Sequence, residues 1–284
     1  YTSQINIARK FGERVSLAFM PTYVHRNYVN ANDINEILAL GGAFNVKITK
    51  ELGIIGEYYH TLYKDRNDKD AQLFMRNIIN FLKIPSSSHL LDLPCGKGRH
   101  SIYLNSLGYK VTGADLSVNS IQAAKKYENN TLDFKLKDMR KPFNIKYDAV
   151  FNLFTSFGYF ENDMDDILVL KNIHKGLHKN GLLVLDFLNV VNVEKKLVKK
   201  EVKIVDEITF NLQREIKDGF ILKHITFTDK GVNHSFSERV KYLTLKKFES
   251  YFFEAGLKIN HIFGDYHLAK FNPETSERLI FVVS

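Results

Sequence analysis

Asp92, Gly96, Gly98 and Asp115 form the pattern in this chain best suited to holding a ligand. The first acid closes an apolar run, His89-Leu90-Leu91-Asp92, that reads as a buried parallel strand; the glycines follow in the turn Leu93-Pro94-Cys95-Gly96-Lys97-Gly98. Without side chains at Gly96 and Gly98 the backbone can come within contact distance of a ligand, and a helix beginning near Arg99 can start directly beneath it. Asp115 ends the next run, from Lys110, about 20 residues past the turn, where a βαβ unit presents an acid to ribose hydroxyls. A carboxylate at that open strand end is expected to be solvated when no ligand is bound. A pyrophosphate needs several free backbone N–H groups at the helix start, and Pro94 supplies none, so a ligand without phosphate fits better. A dinucleotide site and a purely structural turn are the alternatives.

The turn, read as D-x-P-C-G-x-G, resembles motif I of the class I S-adenosylmethionine (SAM) methyltransferases, whose common form is D-x-G/A/P-C-G-x-G followed by a ribose-binding acid. The resemblance covers roughly residues 58 to 284. It implies SAM as cofactor, bound by Asp92, Pro94, Gly96, Gly98, Asp115 and the adjacent Leu116. Asp138, at the end of the third strand, matches the family position where an aspartate accepts from the adenine amine and the backbone of the next residue, here Met139, reaches the ring. A strand-end Asp ahead of Pro142 can equally form a turn. Before the first strand, Tyr59-x-x-x-Tyr63-x-x-Arg66 is similar to a segment that folds over the cofactor in such enzymes, which makes Tyr63 and Arg66 candidates for closing the site; ordinary packing is the alternative.

Asn152, which the resemblance places with Asp115 and Asp138 among the cofactor-binding residues, ends the fourth strand and opens NLFTSFGYF, residues 152 to 160, the loop where such enzymes hold the accepting atom. Enzymes that methylate exocyclic amines of nucleic-acid bases typically carry [D/N/S]-P-P-[Y/F] here, and both prolines are absent. Hydroxyls of Thr155, Ser156 and Tyr159 with walls of Phe154, Phe157 and Phe160 suit a small or amphipathic acceptor instead. Transfer to N or O would proceed by alignment and desolvation. An amine needs only to arrive deprotonated; a hydroxyl needs a base, for which Tyr159, Tyr266 and His267 are candidates. An RNA or protein methyltransferase, or a SAM-binding protein without activity, remain alternative readings.

Positioning these residues takes a doubly wound α/β, Rossmann-like sheet of seven strands ending in an antiparallel hairpin. Apolar positions at helical spacing predict a helix over residues 70 to 82, ahead of strand one. Ile102, Tyr103 and Leu107 are expected to face inward on the next helix, and Ile121, Ala124 and Tyr127 on the one that Ser117 caps. After the fourth strand, Asp163, Asp165 and Asp166 with Glu161 could suggest a cation site, but they sit at the start of a helix whose dipole acids stabilise, so no metal is expected. His174 and His178 are placed on that helix at the spacing of two zinc ligands, with no third ligand nearby. The fifth strand spans residues 182 to 187. A change of period to strands with Asp-Gly and Lys-Gly turns then marks residues 191 to 243 as a β-meander insertion, which the resemblance implies is an acceptor lid. A helix capped by Thr244 and strands at 257 to 263 and 278 to 283 complete the sheet.

The 284 residues carry a formal net charge of +8 and one cysteine. The lysines are scattered rather than clustered, so nucleic acid is not the expected partner; a small-molecule acceptor is. One cysteine rules out an internal disulfide. No apolar run reaches transmembrane length, so residues 58 to 284 are expected to be cytoplasmic, and the start at Tyr1 points to missing upstream sequence. Residues 1 to 57 read differently: Arg14 to His25 alternates, Ile37 to Thr49 is extended, and Ile54 to Tyr59 suggests a third strand. This β-hairpin segment resembles a fragment of an outer-membrane β-barrel, although so few strands cannot close one, which takes about eight. A soluble hairpin extension is the other reading. Oligomeric state is not legible.

Overall fold

The computed structural model describes the backbone of Thr2–Gln4, Ile7–Phe11, Val15–His25, Glu36–Val46 and residues 68–284, with side chains from Ala71 onward. Tyr63, Arg66 and the strand expected at Ile54 to Tyr59 lie outside the described residues. The chain separates into two compact units, Tyr1–Thr61 and Leu62–Ser284. In the first, β3 (Val15–His25) pairs antiparallel with β4 (Glu36–Val46) from Val15↔Val46 to His25↔Glu36, and β1 (Thr2–Gln4) and β2 (Ile7–Phe11) both pair with β3.

The second unit is built on a seven-stranded sheet. Its strands are β5 (His89–Asp92), β6 (Lys110–Asp115), β7 (Leu132–Leu136), β8 (Tyr147–Asn152), β9 (Leu177–Leu188), β14 (Ile259–Phe263) and β15 (Arg278–Val283), in the order β14-β15-β9-β8-β5-β6-β7. β5 to β9 pair in parallel, whereas β15 is antiparallel to both its neighbours. The order reverses between β5 and β8, which both start at the same edge, and this is where doubly wound sheets bind ligands.

Period-two alternation sends adjacent strand residues to opposite faces. Leu90, Val184, Ile280 and Val282 pack with Phe74, Met75 and Ile78 of α1 (Asp68–Leu82), Leu104 of α2 (Arg99–Ser106) and Ile121 of α3 (Val118–Ala124). On the other face Leu91, Leu183, Leu185, Leu279 and Phe281 pack with Ile167, Leu170 and Ile173 of α4 (Asp163–Gly176) and with Phe248 and Phe252 of α6 (Leu245–Ala255). Cover on both faces explains why these strands read as continuous apolar runs. Among the described residues, no helix is long and apolar enough to cross a membrane.

Between β9 and α6 lie α5 (Val190–Lys195) and a separate antiparallel sheet, β10 (Lys200–Val205), β11 (Ile208–Lys217), β12 (Phe220–Asp229) and β13 (Val232–Lys241), paired in chain order. β10 escaped the sequence reading because its lysines and Glu201 hide the alternation on an edge strand. Three side chains depart from expectation. Leu107 is 41% and Tyr127 56% exposed, because α2 and α3 stop at Ser106 and Ala124 before either residue completes a helical face. His178 is not on the helix with His174: α4 ends at Gly176 and His178 lies on β9, so the zinc-like spacing has no helical face behind it.

Candidate active site

Parallel strands bring their carboxyl ends to one edge, so Asp92, Asp115 and Asn152 end β5, β6 and β8 side by side. Gly96 has φ +55°, and a Cβ there would meet nothing within 4 Å, so the space over it is open to a ligand although its N–H is held by Asp115. Gly98 is different. A Cβ there would lie 2.7 Å from the Phe134 ring, and one on Gly113 of β6 would lie 2.5 Å from it. The missing side chain at 98 therefore admits Phe134 of β7 beneath the turn, which corrects the expectation that both glycines expose backbone to the ligand.

Asp92 is buried; its Oδ2 accepts from the Ser101 hydroxyl at 2.6 Å, across the first turn of α2. Burial pushes its carboxyl up to about 7 against the Ser101 hydrogen bonds, and the charge on Asp115 adds to the rise. Asp115 accepts from the Gly96 N–H through Oδ2 (2.8 Å) and from the Ser117 N–H through Oδ1 (2.7 Å), while Ser117 itself caps α3 through the Ser120 N–H. The carboxylate is thus not simply solvated, as the sequence suggested: it ties the glycine turn to the start of α3. A carboxylate has about four lone-pair sites, so two remain for ribose hydroxyls. Asp115→Ala is expected to weaken SAM binding ten- to a hundredfold, the equivalent of about 1.5 to 3 kcal/mol of charge-assisted hydrogen bonds. The same change should lower folding stability by roughly 1 to 2 kcal/mol through the two lost backbone contacts. Calorimetric titration beside a urea melt checks both; a lowered midpoint with unaltered affinity would leave Asp115 only the turn.

Leu116 follows, 66% exposed at the same edge. Pro94 is partly exposed within the turn. Past β7, both oxygens of Asp138 are engaged by Arg140, whose Nη2 donates at 2.7 Å and whose backbone N–H donates at 2.9 Å. These hydrogen bonds hold the Asp138 carboxyl below the usual range, so an adenine amine would compete with a guanidinium. Met139 beside it packs against the core. Asn152 is fully buried; its Nδ2 donates to the Leu93 carbonyl at 2.8 Å, which turns Oδ1 the other way, where it has no partner. A buried, unmatched acceptor costs roughly 1 to 3 kcal/mol and points to a donor supplied from outside the protein.

The loop after Asn152 is strained: Phe154 and Thr155 take φ +56° and +61° in succession, a left-handed pair costing on the order of 1 to 3 kcal/mol per residue. Asp186, buried near the end of β9, holds it. The Asp186 Oδ2 accepts from the Phe154 N–H (2.8 Å) and the Tyr266 hydroxyl (3.2 Å), and its Oδ1 from Arg278 Nε (2.8 Å). Phe154 stacks on His100 of α2, centroids 4.9 Å apart and planes at 9°, and burial pushes the His100 imidazole down to about 3. Expected acceptor hydroxyls are taken: Thr155 Oγ1 accepts from Arg278 at 3.0 Å, and Ser156 donates to the Leu153 carbonyl at 2.7 Å. Phe157 is core against Phe248 rather than a site wall. Of the base candidates, Tyr266 lies against Phe154 (5.3 Å), Tyr159 is 54% exposed, and His267 is exposed with its N–H on Asp265. His100 and Arg278 were missed by sequence reasoning; neither has a local signal, one opening a helix and the other preceding an apolar strand.

The acids considered as a cation site are met by side-chain cations. Lys241 Nζ, 5% exposed, donates to Asp166 Oδ2 at 2.6 Å and Asp163 Oδ1 at 2.8 Å; Arg140 faces Asp165, and Arg239 pairs with Glu161. The Lys241 N–H also donates to the Gly158 carbonyl at 2.8 Å, so the last strand of the meander is fastened to the loop.

Compared with known proteins, residues 84–240 match the family model described as Methyltransferase domain, and residues 1–93 match the one described as Membrane bound beta barrel domain. The Bacillus subtilis (strain 168) protein YqeM, which bears a methyltransferase name, is 33% identical over 107 residues, 36% of this chain and 43% of its own. This chain thus spans under half the length of that relative. The glycine/sarcosine N-methyltransferase of Parasynechococcus marenigrum (strain WH8102) is 27% identical over 226 residues, covering 74% of this chain and 75% of its own. In fold, a crystal structure of a S-adenosylmethionine-dependent methyltransferase from Clostridium acetobutylicum ATCC 824 superposes with TM-score 0.69 at 18% identity, over 83% of this chain and 99% of that one.

Proposed function

We propose that this chain, which belongs to the methyltransferase domain family, transfers the methyl group of SAM to an amine nitrogen of a small molecule. Bound SAM supplies a sulfonium-activated methyl, and three features of the edge fit such a ligand: the open space over Gly96, the spare acceptor sites on Asp115 and the unmatched Oδ1 of Asn152. Gly96, Asp115 and Leu116 would hold the nucleoside, with Pro94 and Gly98 shaping the turn, Asp92 anchoring it to α2, and Asp138 and Met139 bordering the adenine. Asn152 Oδ1 would accept from an N–H of the cofactor or the amine.

The observation that carries nitrogen over oxygen is the state of the groups around Phe154. Tyr266 donates its O–H to Asp186, burial makes the His100 imidazole a weak base, and Tyr159 and His267 are exposed, so none of these four is set up to take a hydroxyl proton. A free amine needs no such help. Arg140, Arg239 and Arg278 around the loop each face a carboxylate, which argues against a stripe for tracking phosphates. The glycine/sarcosine relative supports a small polar amine. Release of S-adenosylhomocysteine with matched amine and hydroxyl compounds tests this: turnover is expected with amines alone, rising from pH 7 to 9 as the acceptor loses its proton. Turnover with the hydroxyl partner, or only with RNA or protein, would overturn it.

A further inference from the structure

We propose that Arg278 is a positioning residue for the methyl acceptor: through Asp186 and Thr155 it holds the left-handed Phe154–Thr155 pair in the place the reaction requires, an inference that rests on the methyltransferase reading above. β15 runs against the parallel strands, so its first residue arrives at the edge where β8 and β9 end. Arg278 is paired across from Leu188, two residues beyond Asp186. From there its planar fork does two things at once. Nε and Nη2 grip Asp186 Oδ1 at 2.8 and 2.7 Å, and Nη2 also donates to Thr155 Oγ1 at 3.0 Å.

Both left-handed residues end on this pair. The Phe154 N–H donates to the Asp186 carboxylate at 2.8 Å and the Thr155 N–H to the Asp186 carbonyl at 3.1 Å. Tyr266, whose hydroxyl donates to the same carboxylate, packs on the Phe154 ring from one side while His100 stacks on it from another. The network therefore connects the acceptor loop to the helix that follows the glycine turn. A buried ion pair contributes little net stability compared with apolar residues of the same volume. Its distinctive effect here is to set a loop conformation that the backbone disfavours. A lysine carries the same charge on a point donor and cannot span Asp186 and Thr155 in fixed geometry.

The full-length chain is tested as Arg278→Lys and Arg278→Met. Both are expected to bind SAM within about threefold of the parent, since Arg278 touches no residue assigned to the nucleoside. Amide hydrogen exchange at Phe154 and Thr155 should quicken about tenfold or more in both. The kcat should fall about tenfold in the lysine variant and about a hundredfold in the methionine variant, with acceptor KM within about threefold, as expected for lost alignment. Should the methionine variant not fold, the lysine variant decides alone. Parental exchange in a folded variant, or faster exchange with parental kcat, overturns the proposal. If the parent itself methylates no amine, the proposed function has failed, while the exchange comparison still decides whether Arg278 holds the loop.

Discussion

Lys241→Met is expected to cost about 3 to 5 kcal/mol of folding stability, the range for removing one partner of a buried ion pair. Asp166 is fully buried, and its Oδ2 accepts from Lys241 at 2.6 Å. Methionine fills the space but leaves that carboxylate without a cation. Burial already raises the Asp166 carboxyl above its ordinary range, and losing Lys241 removes the chief opposing influence. A group whose folded pKa is raised stabilises at low pH and loses that contribution as pH climbs, so the variant's deficit should be smallest in acid and grow toward neutrality. Urea melts at several pH values measure this. Adding Asp166→Asn should restore most of the loss, because the two changes share one interaction. A double variant no better than the single would mean that the meander loses packing rather than charge balance.

Replacing Asp92 by asparagine should flatten a pH dependence of comparable size. The folded chain holds a proton on Asp92 up to about pH 7 because the carboxyl is buried, whereas an ordinary unfolded carboxyl releases it near 4. Between those values the unfolded chain has shed a proton that the folded one retains, so parental stability falls as pH rises through the window and levels above it. At about 1.4 kcal/mol per unit the fall amounts to roughly 4 kcal/mol. Asparagine keeps an acceptor for the Ser101 hydroxyl and cannot ionise. The variant should therefore gain on the parent steadily from about pH 4 to 7 in matched urea melts. Stability curves that stay parallel would show that the parent ionises Asp92 without penalty. SAM carries net positive charge and favours the ionised acid, so its binding near neutral pH should release a fraction of a proton from the parent and none from Asp92→Asn. Titration in buffers of different ionisation enthalpy reads that difference.

The parts of this protein that follow local rules are legible in its sequence. Apolar runs ending in Asp92, Asp115 and Asn152 place three strand ends at one edge, because parallel strands with short helical crossovers leave no other arrangement. Thr244 and Ser117 cap the helices they precede, since an N-cap needs only a side-chain oxygen next to free backbone N–H groups. The period change after β9 marks the meander, because Asp-Gly and Lys-Gly turns force hairpins whatever surrounds them.

What tertiary structure alone decided concerns where polar groups end up when distant segments meet. Asp163 and Asp166 read as helix-dipole acids; the structure adds that Lys241, arriving on the last strand of the meander, is the cation they share. Gly98 reads as room for a ligand, yet the ring of Phe134 from another strand fills it. Arg278 carries no local signal, and one antiparallel strand inserted beside β9 delivers its first residue to Asp186 and the loop at Phe154 and Thr155. The sequence by itself determined the sheet, the strand ends gathered at one edge and the turns, since each depends on neighbours a few residues apart. The pairing of buried charges and the strain held at Phe154 and Thr155 depend on contacts between segments remote in the chain, and no period or spacing encodes which of those segments will touch.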